Sequence, residues 1–256
     1  MSDQVLFEVR DGVAHVTFNR PEAKNALTAQ MYEDLCRICD AVDADESVRA
    51  MVLTGAEGTF VAGADIAEFR SFTDGDDGIA YEKRQLANID RLARVTVPTI
   101  AAVQGFAVGG GMSIASVSDI RICTPDAKFG YPTARTIGNC LEVHGYALLV
   151  ALVGESRAKD MLIRARLMSA EDALTAGYVS EIVPEEQLSG RVDDIVKRLL
   201  ANAPLTMWAA RESIRRLRDA NLPSTDDIIR RVYGSKDFHE GVRAFTEKRK
   251  PQWVGR

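Results

Sequence analysis

Apolar and polar residues alternate over residues 5–19, interrupted at Asp11-Gly12. A period of two about an Asp-Gly pair predicts a β-hairpin. Past residue 28 the spacing lengthens: Met31, Leu35, Cys39 and Val42 share one helical face, and Thr28 stands where an N-cap is needed, which predicts a helix over 28–42. Short apolar runs at 49–54, 99–104 and 118–124 predict buried strands, and 128–132 a strand end or turn. Residues 71–78, acidic and glycine-bearing, predict an exposed mobile loop ahead of a helix over 79–94. From residue 141 helical periodicity takes over, at 143–153, 157–164, 170–176, 185–202, 205–220 and 226–233, with only 179–183 reading as extended. Strands alternating with helices and followed by a helical section predict an α/β chain. No fixed-period repeat or low-complexity linker divides it, so residues 1–200 form the core and 201–256 a helical region of the same domain or a small extension.

Charge and composition narrow the function. With 32 basic and 37 acidic residues the formal charge is −5, which excludes a general nucleic-acid footprint, and an anionic ligand would need a local basic patch. No run approaches the ~20 apolar residues of a membrane span. The first residues lack a basic segment followed by an apolar one, which points to the cytoplasm. Cys36 and Cys39 form a C-x-x-C inside the predicted helix, on its apolar face, and no second such pair completes a zinc site. They read as core, and no metal site is expected.

Two glycine turns carry the chemistry. Gly105-Phe-Ala-Val-Gly109-Gly110-Gly111-Met112-Ser113 joins the strand at 99–104 to a helical segment at 112–117. Gly58-Thr-Phe-Val-Ala62-Gly63-Ala64-Asp65-Ile66 follows the strand at 49–54. Glycine at such junctions lets the backbone approach a ligand and leaves N–H groups pointing out of a helix N-terminus. Two sets of donors of this kind suit an enzyme that stabilises the enolate of an acyl thioester.

These turns, with Asn19-Arg-Pro-Glu-Ala-Lys-Asn-Ala-Leu27, Ser118-Asp-Ile120, Phe129-Gly130 and the closing Glu240-Gly-Val-Arg-Ala-Phe-Thr-Glu-Lys-Arg-Lys-Pro251, resemble the crotonase superfamily, the enoyl-CoA hydratase/isomerase family, in the right order over nearly the whole chain. The resemblance implies a spiral of repeated ββα units with a helical C-terminal trimerisation region, in trimers or hexamers built as dimers of trimers. It implies an acyl-CoA substrate, with coenzyme A entering as part of that substrate and no separate cofactor. By motif position the oxyanion donors are the N–H groups of Ala64 and Gly110. Ala62, Asp65 and Ile66 line the path of the CoA arm, and Lys24 and Lys248, with Arg20 behind them, meet its phosphates. Asp119 reads as structural.

The chain departs from that pattern at the acid–base groups. A hydratase of the family carries glutamates where this sequence has Ser113 and Thr133. A hydroxyl can hold a water by hydrogen bonds but is no base near neutral pH without help. The usual Pro-Gly-x-Gly-Gly segment is replaced by Arg135-Thr-Ile-Gly-Asn-Cys-Leu-Glu-Val-His144. Glu142 is the first candidate to move a proton, though a carboxylate there equally suits a helix N-terminus. His144 is a second, and at i,i+2 in a helix only one of the two is expected to face the site. Asn139 and Cys140 are candidates to line the acyl pocket, Arg135 to bind a substrate carboxylate, and Tyr131 reads as packing. The expected reaction is enoyl-CoA hydration or double-bond isomerisation with an unconventional acid–base group. Two alternatives stand beside it: hydrolysis by a Ser113 nucleophile in the elbow-like Gly111-Met-Ser113-Ile-Ala115, with His144 as base, and a CoA-thioester binding protein without catalysis. The acyl group and the choice between trimer and hexamer are not legible.

Overall fold

A computed structural model describes residues 2–255. Strands β1 (Val5–Arg10) and β2 (Val13–Phe18) pair antiparallel, from Val5 opposite Phe18 to Arg10 opposite Val13. Asp11 and Gly12 between them both have positive φ, the geometry of the tight turn that the right-handed twist of a hairpin prefers. Helix α1 (Ala29–Ala44) starts at Thr28, whose hydroxyl accepts from the N–H of Met31 at 3.2 Å. Strands β3 (Ala50–Gly55), β4 (Thr99–Val103), β6 (Ile120–Cys123) and β9 (Glu181–Ile182) join the hairpin in one six-stranded sheet ordered β1-β2-β3-β4-β6-β9, parallel after the first pair.

A second sheet explains the glycine run. Its strands are β5 (Phe106–Val108), β7 (Lys128–Gly130) and β8 (Met168–Ser169), too short to show any periodicity in sequence. The chain crosses the large sheet in β4, the small one in β5, and then enters α3 (Gly110–Val117). It repeats the move through β6 and β7 before reaching α4 (Val143–Val153). Val61 bridges Ala107 in parallel, so the turn after β3 forms a third rung beside β5. Successive ββα turns are therefore stacked, and their strand-to-helix junctions fall at one end.

The remaining helices are α2 (Gly75–Ala93), α5 (Glu155–Ile163), α6 (Ala170–Thr175), α7 (Glu185–Leu200), α8 (Pro204–Asp219), α9 (Asp226–Tyr233) and α10 (Lys236–Thr246). β3 is buried on both faces, as central parallel strands are. Met51 and Leu53 face a core shared with Leu35 of α1 and Ile114 of α3, while Ala50 and Val52 face Leu188, Val192 and Ile195 of α7.

α2 corrects the expected loop at 71–78, because the helix begins at Gly75 rather than residue 79. Asp74 and Asp77 form a reciprocal capping box, each carboxylate accepting from the other's N–H. Gly78 lies against α9: a Cβ built on it would sit 2.2 Å from Cγ of Tyr233. The glycine thus permits a close helix crossing: α9 packs on α2 and α10 on α9, in a cluster of Ile79, Tyr81, Ile229, Tyr233, Phe238 and Val242. Among the described residues no helix is long and apolar enough to cross a membrane.

Candidate active site

Three segments meet at the junction end of the spiral. The 60–65 turn is tied to β5 by Val61 N–H to Phe106 O at 2.8 Å and Val108 N–H to Val61 O at 3.0 Å. It is tied to the 24–27 segment by Ala62 N–H to Lys24 O at 3.0 Å. Leu27 bonds the residues flanking Ala64, donating to Gly63 O and accepting from Asp65 N–H, both at 2.8 Å. A parallel bridge of this kind turns the N–H of Ala64 itself away from its neighbour. Gly110 opens α3, so its N–H has no intrahelical acceptor. Gly109 before it has φ of 54° and ψ of −119°, a backbone that only glycine adopts without strain, and this aims the helix start. Ala64 and Gly110 both line a cavity of about 190 Å³.

Apolar and aromatic side chains wall this cavity, Tyr32, Ile66, Phe69 and Leu141 among them. A smaller one of about 90 Å³ adjoins it and shares Glu82, Gln85, Ile89, Ser113, Tyr131 and Leu141. Ser113 and Thr133 both line the larger cavity. The Ser113 hydroxyl lies 3.1 Å from that of Tyr131 and 3.3 Å from Gly109 O. Tyr131 is buried, and it lines both cavities together with the Ser113 that its hydroxyl meets. Asn139 lines the larger cavity, Cys140 is buried behind it with its thiol pushed up to about 12 by burial, and Arg135 is exposed outside both cavities.

Glu142 lies just outside α4 as its N-cap, with extended φ and ψ of −75° and 156°. Its carboxylate accepts from the N–H of His144 at 2.8 Å and lies 2.7 Å from His144 Nδ1. The expected divergence of residues 142 and 144 therefore fails: a cap is not a helical position, and both side chains line the smaller cavity together. Glu142 does not reach the lining that holds Ala64 and Gly110. His144 is hydrogen-bonded to Glu142, and among the described residues no hydrogen bond joins it to Ser113.

Sequence reading passes over Glu82. It lies on α2, 6% exposed, and lines both cavities. Tyr233 of α9 donates its hydroxyl to one carboxylate oxygen, and Glu142 N–H donates to the other at 3.1 Å. Burial pushes its pKa up to about 7, against the opposing pull of those two donors. The sequence did hold a signal, for Ile79, Leu86, Ile89 and Ala93 form the inward stripe of this helix and Glu82 stands in the same stripe.

The CoA-path candidates split. Ala62 and Ile66 line the larger cavity. Asp65 caps the 3₁₀ turn Ile66–Ser71, accepting from Ala67 N–H at 3.0 Å. That bond, with Arg20 at 2.8 Å, holds its carboxyl below the usual range. Arg20 is thereby committed to Asp65. Lys24 adopts a left-handed backbone and holds its ammonium 5.4 Å from the centre of the Phe106 ring. Phe245 at the end of α10 lines the larger cavity, and exposed Lys248 follows three residues on. Asp119 accepts from the N–H and hydroxyl of Thr99 and pairs with Arg211 at 2.7 Å, all structural contacts.

The sequence model of the family described as enoyl-CoA hydratase/isomerase matches residues 8–256. The chain belongs to that family. Among its relatives, the probable enoyl-CoA hydratase echA8 of Mycobacterium tuberculosis is 33% identical, with 99% of each chain covered. The short-chain-enoyl-CoA hydratase of Clostridium acetobutylicum is 33% identical over 97% of this chain and 96% of its own. A methylmalonyl-CoA decarboxylase solved in complex with 2-nitronate-propionyl-CoA superposes with a TM-score of 0.91 at 26% identity over the whole of both chains. The stacked ββα turns are thus the crotonase fold, and the protein is an enzyme of the enoyl-CoA hydratase/isomerase type.

Proposed function

We propose that this family member converts an enoyl-CoA by stabilising its thioester enolate between the N–H groups of Ala64 and Gly110. The observation that carries the reading is a pair of backbone N–H groups on one cavity, with no acceptor among the described residues and each fixed by a separate turn. Enolate formation moves a full charge onto the thioester oxygen, and preorganised donors favour that state over the ground state. Losing one such donor typically raises the barrier by ~3 kcal/mol. The CoA arm passes Ala62, Asp65 and Ile66, with Lys24 and Lys248 toward its phosphates. No cofactor is needed, because coenzyme A arrives with the substrate. The working unit is a homotrimer or a hexamer made from two of them, and the protein acts in the cytoplasm.

Ser113 and Thr133 in place of two carboxylates favour double-bond isomerisation, which needs a single base, over hydration, which needs a base and a held water. A mass-resolved assay of enoyl-CoA thioesters in D₂O tests the reading. Deuterium uptake with the thioester intact is expected, and a gain of water would make the reaction hydration. Release of free CoA would instead give the role to a Ser113 nucleophile. Binding without any turnover across the panel would leave a thioester-binding protein.

A further inference from the structure

We infer that Glu82, approaching the cavity from α2, is the carboxylate that moves the substrate proton, in place of the two glutamates this chain lacks. The inference rests on the enolate reading above.

Geometry carries it. Glu82 is a buried carboxylate on the lining that also holds Ala64, Gly110, Ser113 and Thr133. The rival Glu142 has its carboxylate engaged by the N–H and ring of His144, and it lines only the smaller cavity. Its backbone serves Glu82 instead, through the N–H at 3.1 Å. Tyr233 grips the second oxygen, and Asn139 lies 3.4 Å behind the Tyr233 hydroxyl. One oxygen of Glu82 is thus fixed by each donor, and the residue lines both cavities. Gln85, one turn further along α2, adds to the same lining a buried side-chain oxygen that has no hydrogen-bond partner among the described residues.

The step balances without a co-reactant. Ionised Glu82 takes a proton from the carbon next to the thioester, and the C–H electron pair passes into an enolate whose charge rests on the oxygen between Ala64 and Gly110. The new O–H on Glu82 then returns its proton to the same carbon, or to a carbon two bonds further along an unsaturated chain, and the carboxylate is restored.

Burial sets Glu82 near the pH at which a carboxyl group can both take and give a proton. Tyr32, Tyr131, Tyr146, Tyr233 and Cys140 face it from the neighbouring elements, and burial raises the pKa of each. Tyr81 beside it is raised in the same way. These groups stay protonated around neutral pH, and the other titratable or charged groups on the smaller cavity that Glu82 lines are Glu142 with His144 against it, Asp90, Arg218 and Asp219.

The experiment follows exchange of the C2 protons of butyryl-CoA in D₂O, with binding of the same thioester and thermal melts as controls. Glu82→Gln is expected to slow exchange at least ~100-fold with binding retained, the lower range of what a general base supplies. Tyr233→Phe removes a donor that favours ionised Glu82, so the acidic limb of kcat/KM moves up by roughly one pH unit. A merely structural role for Tyr233 would not move that limb. Exchange within threefold of wild type in Glu82→Gln, or an unmoved limb in Tyr233→Phe, overturns the assignment while the enolate reading stands. Loss of exchange in Glu142→Gln with Glu82→Gln unaffected hands the role to Glu142. If the wild-type protein binds butyryl-CoA and exchanges nothing, the enolate reading itself falls, and Glu82 with it. Should Glu82→Gln fail to fold, the Tyr233→Phe profile decides alone.

Discussion

Keeping a carboxylate inside an apolar cleft works against the folded state. Glu82 is raised from 4.5 to about 7, so between those values the native protein holds a proton that the unfolded chain has released. Where the native state binds more protons, stability falls as pH rises. The contribution of Glu82 is therefore fully present below pH 4.5 and lost by the time pH passes 7, a change of roughly 3 kcal/mol. Glutamine keeps the shape, its amide oxygen can accept from Glu142 N–H while its NH₂ donates to the Tyr233 hydroxyl, and it has no proton to lose. Glu82→Gln should accordingly melt above wild type at pH 8, with the gap closing toward pH 5; equal melting curves at pH 8 would mean that Glu82 is not held in this way. Ser113 and Thr133 were legible as candidates because each occupies a motif position, and Glu142 because it stands in the segment that replaces the family's glycine-rich one. Glu82 belongs to no motif, and its only mark is a charge standing in an apolar stripe.

Among elements, α2 was read four residues short, because acidic residues and glycines between 71 and 78 carry the composition of a loop. Both features have specific work there. The aspartates cap the helix, and Gly78 admits Tyr233. Helix propensity alone predicts that Gly78→Ala stabilises α2 by about 1 kcal/mol. The added methyl would stand 2.2 Å from the Tyr233 ring carbon, so the expected outcome is a net loss of about 1–3 kcal/mol in denaturant unfolding. Displacing Tyr233 should also shift the pH profile in the direction of Tyr233→Phe; a stabilised Gly78→Ala variant would show that the crossing is looser than described. The hairpin, α1, α4 and α9 were legible because each spans enough residues to express its period. β5 and β8 were not, being held by pairing partners far along the chain.

At the scale of the whole molecule, α8 stands apart from the other long helices because none of its residues is buried. It is held to this chain by polar contacts, Arg211 reaching Asp119 and the carbonyl of Val95. Ile214 and Leu217 are 65% and 79% exposed, one turn apart. In the proposed trimer such a face would be covered by another copy. Sedimentation should therefore give a mass of three or six chains, and the double variant Ile214→Asp, Leu217→Asp should lower it; a monomer at micromolar concentration would refute the proposed assembly. The meeting of Tyr233 with Glu82, 151 positions apart, is a whole-molecule fact that no local pattern announces. It also bears on the order of synthesis. A chain growing from its N-terminus contains both glycine turns and Glu82 long before Tyr233 is added, so a ribosome-bound chain ending near Asn221 lacks the hydroxyl that meets Glu82. The protein gains its tuned carboxylate only when its final helices arrive.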